Sequence, residues 1–282
     1  MALTRIYEEH EVGPEVRRIY ADIRSSFDLP YVPTAFKLAA GLPPYLKLIW
    51  DDLGPVARSK EFQTSAKALE EYCRSLAVGG GWKFADQERL LAGQKFSYND
   101  IEQLGAIVGT FTRGLAKMAL FARLLQRGYG GGQRGRVTAG KQASALSRMV
   151  TLHVPNEGEA GLRVWLIYSD IKRTLRMQNV MSVYRVLSPF PAYMASVWMD
   201  SKKLLADPAF LRAKDDVSKR TLGLLVGLPA RDHRAAHGIE SADWREIEEM
   251  VDGFARVSPQ FCLLVSVWQR SFNRAAGQIA IA

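Results

Sequence analysis

Apolar positions recur with the period of an α-helix along most of the chain. Behind Pro14, residues 15–26 carry apolar side chains at i, i+3, i+4 and i+7, which predicts an amphipathic helix that begins near the proline. No segment alternates apolar and polar residues for long enough to indicate a β-sheet. The pattern therefore predicts an all-α fold.

Proline and glycine mark the ends of the predicted helices. In the first half the pattern predicts helices at 15–26, 35–40, from Pro44 through Leu53, at 62–78, and a long helix capped by Asn99 or Asp100. In the second half it predicts helices at 162–175, 181–187, 192–205, 208–226 and 242–272, the last kinked at Pro259.

The two halves carry the same pattern. Residues 16–50 align without a gap with residues 164–198 at a separation of 148, and the register holds to Phe62 and Phe210. The identical pairs include Ile19/Ile167, Asp22/Asp170, Pro43/Pro191, Tyr45/Tyr193 and Trp50/Trp198. We predict a tandem duplication of a roughly five-helix unit, packed as a pseudo-two-fold dimer within one chain. The first copy covers 1–126, a glycine-rich basic linker 127–160, and the second copy 161–282.

Composition fits a globular protein in a reducing compartment. Of the 282 residues, 48% are hydrophobic, as in ordinary globular domains. Cys73 and Cys262 do not occupy equivalent positions in the copies, which argues against a disulfide framework. The N-terminus has no apolar signal-peptide core, and the apolar run at 261–268 is too short to span a bilayer. We expect a cytoplasmic protein without a membrane partner.

The net charge of +9 favours an anionic partner. Aromatic residues fall at core spacings instead of alternating with basic clusters, which argues against nucleic acid. We therefore expect a small anionic substrate. The sequence neither predicts nor excludes a homo-oligomer.

Two motifs are weak evidence for a cofactor or a metal. Residues 135–141 fit G-x-x-x-x-G-K but lack the following Ser or Thr and a preceding strand, so an interrepeat linker explains them better. His233 and His237 are four residues apart, but no third ligand accompanies them, which favours solvated surface histidines. We predict neither a cofactor nor a metal.

Two matched pairs of charged residues have two interpretations each. Asp22 and Asp170 lie in the first helix of each copy, and their duplicated context favours structural ion pairs over acids in a cleft. Arg113 and Arg256 lie within long apolar helices. Each either extends to solvent or binds an anion between the copies.

The chain resembles a known family in I-Y-A-D-I-R (19–24), in L-P-Y-V-P-T-A-F-K-L-A-A-G-L-P-P-Y-L-K-L-I-W (29–50) and in N-D-I-E-Q-L-G-A-I-V-G-T-F-T-R-G-L-A-K (99–117). These stretches look like the group I (DehI-type) DL-2-haloacid dehalogenases, also called halocarboxylic acid dehydrogenases. The resemblance covers most of the chain. It implies an all-α fold of two repeats with the active site between them. It also implies cofactor-independent hydrolysis of both enantiomers of small 2-halocarboxylates, in which an aspartate activates the attacking water.

Matching the family's site residues gives an incomplete set. The family's aspartate corresponds to Val183, so this chain is a divergent member whose catalytic residue is unknown. The predicted substrate-binding residues are Tyr31, Thr34, Thr112, Arg113, Asn179, Ser182 and Arg256. Asp28 and Asp170 are the candidate replacement bases.

The sequence thus predicts a hydrolase that acts by water activation on a small carboxylic acid, a 2-haloacid or a related molecule, in the cleft between the repeats. The alternatives are a non-hydrolytic relative that binds small acids or regulates, and an enzyme with a different reaction on the same scaffold.

Overall fold

The computed structural model describes residues 3–84, 87, 90–91, 96–140, 152–235 and 239–279. Within these residues the secondary structure is helical, and one isolated antiparallel bridge joins Gln133 to Ala230. The prediction of an all-α protein is therefore confirmed.

The observed helices agree with the predicted ones to within a few residues at most ends. In the first half they are α1 (Pro14–Phe27), α2 (Thr34–Ala39), α3 (Pro43–Arg58), α4 (Lys60–Gly79) and α5 (Tyr98–Tyr129). In the second half they are α6 (Leu162–Leu175), α7 (Ser182–Arg185), α8 (Pro191–Leu205), α9 (Pro208–Leu224) and α10 (Ser241–Ile279). Two short 3₁₀ turns cover Glu157–Glu159 and His233–Ala235.

The start of α5 differs from its prediction. The backbone N–H of Asp100 donates to Ser97 Oγ (3.2 Å), and the backbone N–H of Ser97 donates to Asp100 Oδ2 (2.8 Å). This reciprocal pair is a capping box, with Ser97 as the N-cap. The prediction that Asn99 or Asp100 caps the helix is therefore wrong, because Asp100 fills the third helical position of the box.

The chain divides into two compact units, and neither is one sequence copy. Unit 1 comprises residues 1–67, 117–153 and 221–258, and unit 2 comprises residues 68–116, 154–220 and 259–282. Each unit thus takes residues from both predicted copies, because α4, α5, α9 and α10 each contribute to both units. The copies themselves stay a prediction about the sequence.

The core of unit 1 is built on aromatic rings. Phe36 meets Trp50 edge-on, with ring centroids 5.7 Å apart, and both rings contact Phe121 of α5. Phe27 at the end of α1 contacts all three. Because aromatic pairs add packing energy beyond their buried area, this cluster fixes α2 between α1, α3 and α5.

A carboxylate holds a tryptophan in each unit. In unit 1 the Trp50 indole N–H donates to Asp22 Oδ2 (2.8 Å), and Arg58 pairs with the same oxygen (2.7 Å). These contacts give a buried indole N–H and a half-buried carboxylate their hydrogen-bond partners. They join the first helix of the copy to the third.

Unit 2 contains the matching arrangement. The Trp198 indole N–H donates to Asp170 Oδ2 (2.8 Å), and Lys202 pairs with that oxygen (2.8 Å). The cation comes from a different helical turn than Arg58 does, yet the carboxylate–indole bond is the same. These contacts favour the structural interpretation of Asp22 and Asp170.

Backbone geometry also recurs at a separation of 148 residues. Asp28 and Arg176 both end their helices in the left-handed region, at φ 53° and 52°. The N-caps Leu42 and Phe190 have similar backbone angles, at φ −129° and −119° and ψ 80° and 67°. A non-glycine residue at positive φ is uncommon, so its recurrence at matched positions is informative.

Residues 127–140 of the predicted linker pack within unit 1, whereas residues 154–160 belong to unit 2. Gln133 and Ala230 exchange two backbone hydrogen bonds (2.7 and 3.0 Å). Gly132 has φ +76°, and a Cβ there would lie 2.7 Å from the Ala230 carbonyl. A Cβ on Gly140 would lie 2.0 Å from the carbonyl of Arg58. These glycines allow close packing of the linker, while residues 141–151, including Lys141 of G-x-x-x-x-G-K, lie outside the described residues.

Helix α5 is an internal helix. Its length and a mean hydropathy of 1.2 over its most apolar window would suffice to cross a bilayer, but 72% of that window is buried within the protein. Core helices of globular proteins share this composition. The two cysteines, Cys73 and Cys262, are free and buried.

We predict that Asp170→Asn lowers the free energy of unfolding by about 1 kcal/mol at pH 6, because asparagine keeps the indole bond but loses the ionic partners. The Lys202 ammonium and the Trp198 indole lower the pKa of Asp170 to about 2, against a smaller opposing effect of burial. A lowered folded-state pKa stabilises the fold above the unfolded value near 3.8 and ceases to do so as the pH falls through about 2.

Urea unfolding between pH 6 and pH 2 tests this prediction. The difference between wild type and Asp170→Asn should shrink below pH 4. A difference that stays constant over this range would contradict the account. Asp216→Asn, at an exposed acid paired with Lys219, is the control and should change stability little.

Candidate active site

The predicted binding residues are divided between the two units. Unit 1 contains Tyr31, Thr34 and Arg256, and unit 2 contains Thr112, Arg113, Asn179 and Ser182. The side chains of Tyr31, Thr34, Thr112 and Ser182 are buried, and Asn179 is half-buried. The site shared by the two copies stays a prediction.

The two arginines proposed as anion anchors are exposed. Arg113 lies on α5 and Arg256 on α10, each at an exposed position of its helix. This favours the interpretation in which a long side chain reaches solvent from an apolar helix. The buried cations lie elsewhere, at positions that the sequence alignment of the copies pairs with each other.

These buried cations are Lys37 in α2 and Arg185 in α7. Lys37 forms an ion pair with Glu8, and Arg185 donates from Nη1 to the carbonyl of Pro155 (3.2 Å). Arg185 has no exposed surface. Burying a guanidinium requires compensating contacts, so these side chains tie the short helices to the segments that precede α1 and α6.

The short helix α7 sets the positions of Ser182 and Val183. The Met181 carbonyl accepts the backbone N–H groups of Tyr184 (3.0 Å) and Arg185 (3.2 Å). This one-turn geometry places Ser182 first and Val183 second in the helix. The matched turn in unit 1 has the same pattern, because the Pro33 carbonyl accepts the backbone N–H groups of residues 36 and 37.

Val183 borders a small apolar cavity in unit 2. The cavity has a volume of about 10 Å³, near the lower limit for a single water. Its lining consists of apolar and aromatic side chains with one serine: Phe84, Val183, Tyr184, Val197, Ser201, Phe261, Leu264, Val265 and Trp268.

The side-chain polar groups that line this cavity are the hydroxyls of Tyr184 and Ser201 and the indole N–H of Trp268. Ser201 Oγ donates to the Val197 carbonyl (2.7 Å). Burial raises the pKa of Tyr184, which therefore stays protonated at neutral pH. The lining contains no carboxylate and no histidine, so no group here can take a proton from a water.

Asp170, one of the two candidate bases, has hydrogen-bond donors on both carboxylate oxygens. Its carboxylate accepts hydrogen bonds from Trp198, Lys202 and Arg173, and these donors hold its pKa at about 2. A group with so low a pKa is a weak base. Asp28, the other candidate, ends α1 in unit 1, and its buried Oδ1 accepts no hydrogen bond from the described residues.

Sequence analysis missed a further buried acid, Asp200 in α8. Its Oδ1 pairs with Lys203 (3.2 Å), while its buried Oδ2 accepts no hydrogen bond from the described part of the chain. Asp200 directly precedes Ser201, which lines the cavity beside Val183. A buried carboxylate oxygen without a donor is uncommon and has a lone pair free for a proton.

The alignment of the copies pairs Asp200 with Asp52, and this pairing could have identified both. Asp52 Oδ2 lies 2.9 Å from His233 Nε2 and accepts the backbone N–H of Arg231 at 2.9 Å. Burial raises the pKa of Asp52, but these hydrogen bonds outweigh it and the pKa is lowered. Asp52 Oδ2 thus has a hydrogen-bond donor, whereas the matched Asp200 Oδ2 has none among the described residues.

His233 is not the solvated surface histidine that the sequence predicted. It is 1% exposed, and a Cβ on Gly128 would lie 2.1 Å from its Nδ1. The imidazole therefore packs against the end of α5 and ties the 3₁₀ turn to α3 through Asp52. His237 lies outside the described residues. Among those residues, no group of three or more acids, histidines or cysteines could hold a metal.

Comparison with known proteins gives consistent results. The sequence model of the family described as halocarboxylic acid dehydrogenase DehI matches residues 30–184, more than half of the chain. An (R)-2-haloacid dehalogenase of Pseudomonas putida is 24% identical over 264 residues, covering 90% of this chain and 87% of the relative. A second one, from Rhizobium sp. (strain NHG3), is 21% identical and covers 81% of this chain and 90% of the relative.

Solved structures match over nearly the whole fold. A D-2-haloacid dehalogenase in complex with L-LA has a TM-score of 0.85 and 23% identity, covering 95% of this chain and 96% of that one. A mutant D-2-haloacid dehalogenase in complex with D-2-CPA has a TM-score of 0.80 at 23% identity, covering 96% and 95%.

These findings confirm the predicted family, and both relatives are named as enzymes that act on 2-haloacids. The matched range includes α2 and all of α7 but its last residue, and thus Val183. The chain belongs to the DehI family of halocarboxylic acid dehydrogenases.

Proposed function

We propose that the protein is a hydrolase that removes halide from a small (R)-2-halocarboxylic acid and uses a base other than residue 183. The family match through residues 30–184 carries this proposal. The names of the two relatives with more than 80% coverage support the (R) enantiomer. A small anion is also the partner that a net charge of +9 attracts.

Asp200 is the proposed base. It belongs to unit 2 together with Ser182 and Val183, and one of its oxygens accepts no hydrogen bond from the described residues. Asp170 has three donors and a pKa of about 2, and Asp28 belongs to the other unit. A general base must accept a proton at the operating pH, which favours Asp200 over Asp170.

The proposed reaction is a direct displacement. The oxygen of a water bonds to C2 of the acid while the carbon–halogen bond breaks and the halide leaves with the bonding pair. The proton of the water passes to the Asp200 carboxylate. The product is a 2-hydroxy acid of inverted configuration. A desolvated pocket strengthens this step, because a carboxylate stripped of water is a better base.

The second candidate function is binding of small acids without hydrolysis. The apolar cavity beside Val183 favours it, because that cavity contains no group that could activate water. In this case Ser182 and Thr112 would contribute hydrogen bonds to a bound carboxylate. Thr112 donates its O–H to the Val108 carbonyl (2.9 Å), so it would have to exchange this bond for one to the carboxylate.

We also infer that the fold arose by tandem duplication. The matched carboxylate–indole bonds of Asp22 and Asp170 support it, as do the matched left-handed residues at 28 and 176. The pseudo-two-fold packing, the copy boundaries at 126 and 161, and a cytoplasmic location stay predictions.

We predict that Val183→Asp destabilises the fold by about 2–4 kcal/mol at pH 7, because a carboxylate would lose its hydration against an apolar lining. Val183→Ile adds one methylene beside a small cavity and should cost less than about 1.5 kcal/mol. Urea unfolding measures both. If Val183→Asp matches the wild type at pH 7, the position is hydrated and could accommodate the family's acid.

We predict that wild type releases chloride from (R)-2-chloropropionate faster than from the (S) enantiomer, and that Asp200→Asn lowers this release at least 100-fold. Chloride release is measured with each enantiomer at several pH values. Asp216→Asn, at an exposed acid of α9, is the matched control and should keep wild-type activity.

Three results would contradict the proposal. No chloride release by wild type, together with a thermal shift on adding the acid, would favour the binding function. Full activity in Asp200→Asn would remove Asp200 as the base. Loss of activity in Asp28→Asn but not in Asp200→Asn would assign the base to Asp28.

A further inference from the structure

The two cysteines of the chain lie together in unit 2. Cys73 belongs to α4 and Cys262 to α10, and both fall in the segments that form this unit. They are 1% and 4% exposed. Burial, followed by a hydrogen bond and a charge interaction with the Cys73 thiol, raises the pKa of Cys262. The two thiols are therefore neighbours, although the residues are far apart in the sequence.

Contacts beside the cysteines show that α4 packs against α10. Arg270 Nη1, about two turns after Cys262, donates to the carbonyl of Ala77, which lies about one turn after Cys73 (3.0 Å). The Glu70 carboxylate, about one turn before Cys73 on α4, also raises the pKa of Cys262. These contacts place Cys262 opposite the part of α4 that lies between Glu70 and Ala77.

The sequence alignment of the copies pairs this helix contact with one in unit 1. Arg270 corresponds to Arg127 at a separation of 143, which is that of the matched arginines of α5 and α10. Ala77 corresponds to Leu225 at the separation of 148. Arg127 Nη1 donates to the Leu225 carbonyl (2.7 Å), so the same arginine–carbonyl bond occurs in both units.

The positions matched to the cysteines contain other small residues. Thr221 corresponds to Cys73 and Ala119 to Cys262, and both are buried in unit 1. The contact therefore forms without sulfur, so packing alone does not explain two cysteines. Small side chains at facing positions let two helix backbones approach closely, and a disulfide needs Cα atoms about 4.4–6.8 Å apart. A contact of this kind suits a disulfide.

We propose that Cys73 and Cys262 are a redox pair, in which a disulfide joins α4 to α10 when the chain meets a small-molecule disulfide such as oxidised glutathione. One cysteine thiolate attacks a sulfur of the glutathione disulfide and releases a glutathione thiolate. The second cysteine thiolate attacks the mixed disulfide and releases the other glutathione. Two cysteine thiols are oxidised, one glutathione disulfide is reduced, and the two thiol protons pass to the released glutathione thiolates.

Burial determines when this exchange takes place. The thiolate is the reactive form, and a buried thiol with a raised pKa, such as that of Cys262, forms little of it. Exchange therefore requires local opening or a chain that has not finished folding. A reducing compartment keeps the pair as the two free thiols of this structure. Cys262 directly follows Phe261, which lines the cavity beside Val183, so the disulfide also anchors this part of α10.

The equilibrium constant of the exchange in the folded and the unfolded chain tests the proposal. The full chain is refolded from urea in mixtures of reduced and oxidised glutathione, quenched with acid, and analysed by intact mass and peptide mapping. We expect a disulfide between residues 73 and 262 that forms about 30-fold or more favourably in native buffer than in concentrated urea, because a disulfide that fits the fold stabilises it by at least this factor. The urea midpoint of the oxidised chain should be higher than that of the reduced chain.

Cys73→Thr and Cys262→Ala are the matched controls, because they introduce the residues of the first-copy contact. Both should fold by circular dichroism, form no disulfide within the chain and lack the shift in midpoint. A wild type that keeps free thiols, or carries only mixed disulfides with glutathione, in the most oxidising mixture would overturn the proposal. A 73–262 disulfide no more favourable in native buffer than in urea would do the same, as would a disulfide that forms only between two chains.

Discussion

The bond from a tryptophan indole to a first-helix aspartate organises both halves of the fold. It occurs between Trp50 and Asp22 and again between Trp198 and Asp170. A buried indole N–H needs an acceptor. One bond joins α1 to α3, and the other joins α6 to α8. The short helices α2 and α7 pack on these tryptophans through Phe36 and Tyr184, so the positions of the candidate site depend on the two bonds.

Helix boundaries could be predicted because apolar periodicity, proline and glycine act locally. The prediction of 162–175 for α6 agrees with its observed ends. Features that depend on distant residues could not be predicted. His233 has the sequence context of a loop, yet Asp52, far away in the chain, makes it a buried hydrogen-bonding residue. The alignment pairs Asp52 with Asp200, but it does not reveal that Oδ2 of Asp52 has a donor while Oδ2 of Asp200 has none among the described residues.

The two short helices of the candidate site share one backbone geometry. Backbone hydrogen bonds of α7 hold Ser182 and Val183 as the matched turn of α2 holds residues 34 and 35. The side chain at 183 instead faces apolar packing. Resemblance could identify the family, because residue types carry it. Which buried carboxylate oxygens lack a donor depends on three-dimensional contacts, so the sequence could not select the proposed base Asp200.

The central claim is that water, activated away from residue 183, attacks the substrate directly. Its most direct test is a single turnover of (R)-2-chloropropionate in H₂¹⁸O with excess enzyme, followed by mass spectrometry and chiral analysis of the lactate. The account predicts one ¹⁸O atom in (S)-lactate from the first turnover. Lactate carrying ¹⁶O from the protein would instead indicate attack by a carboxylate through an ester, and would contradict the account.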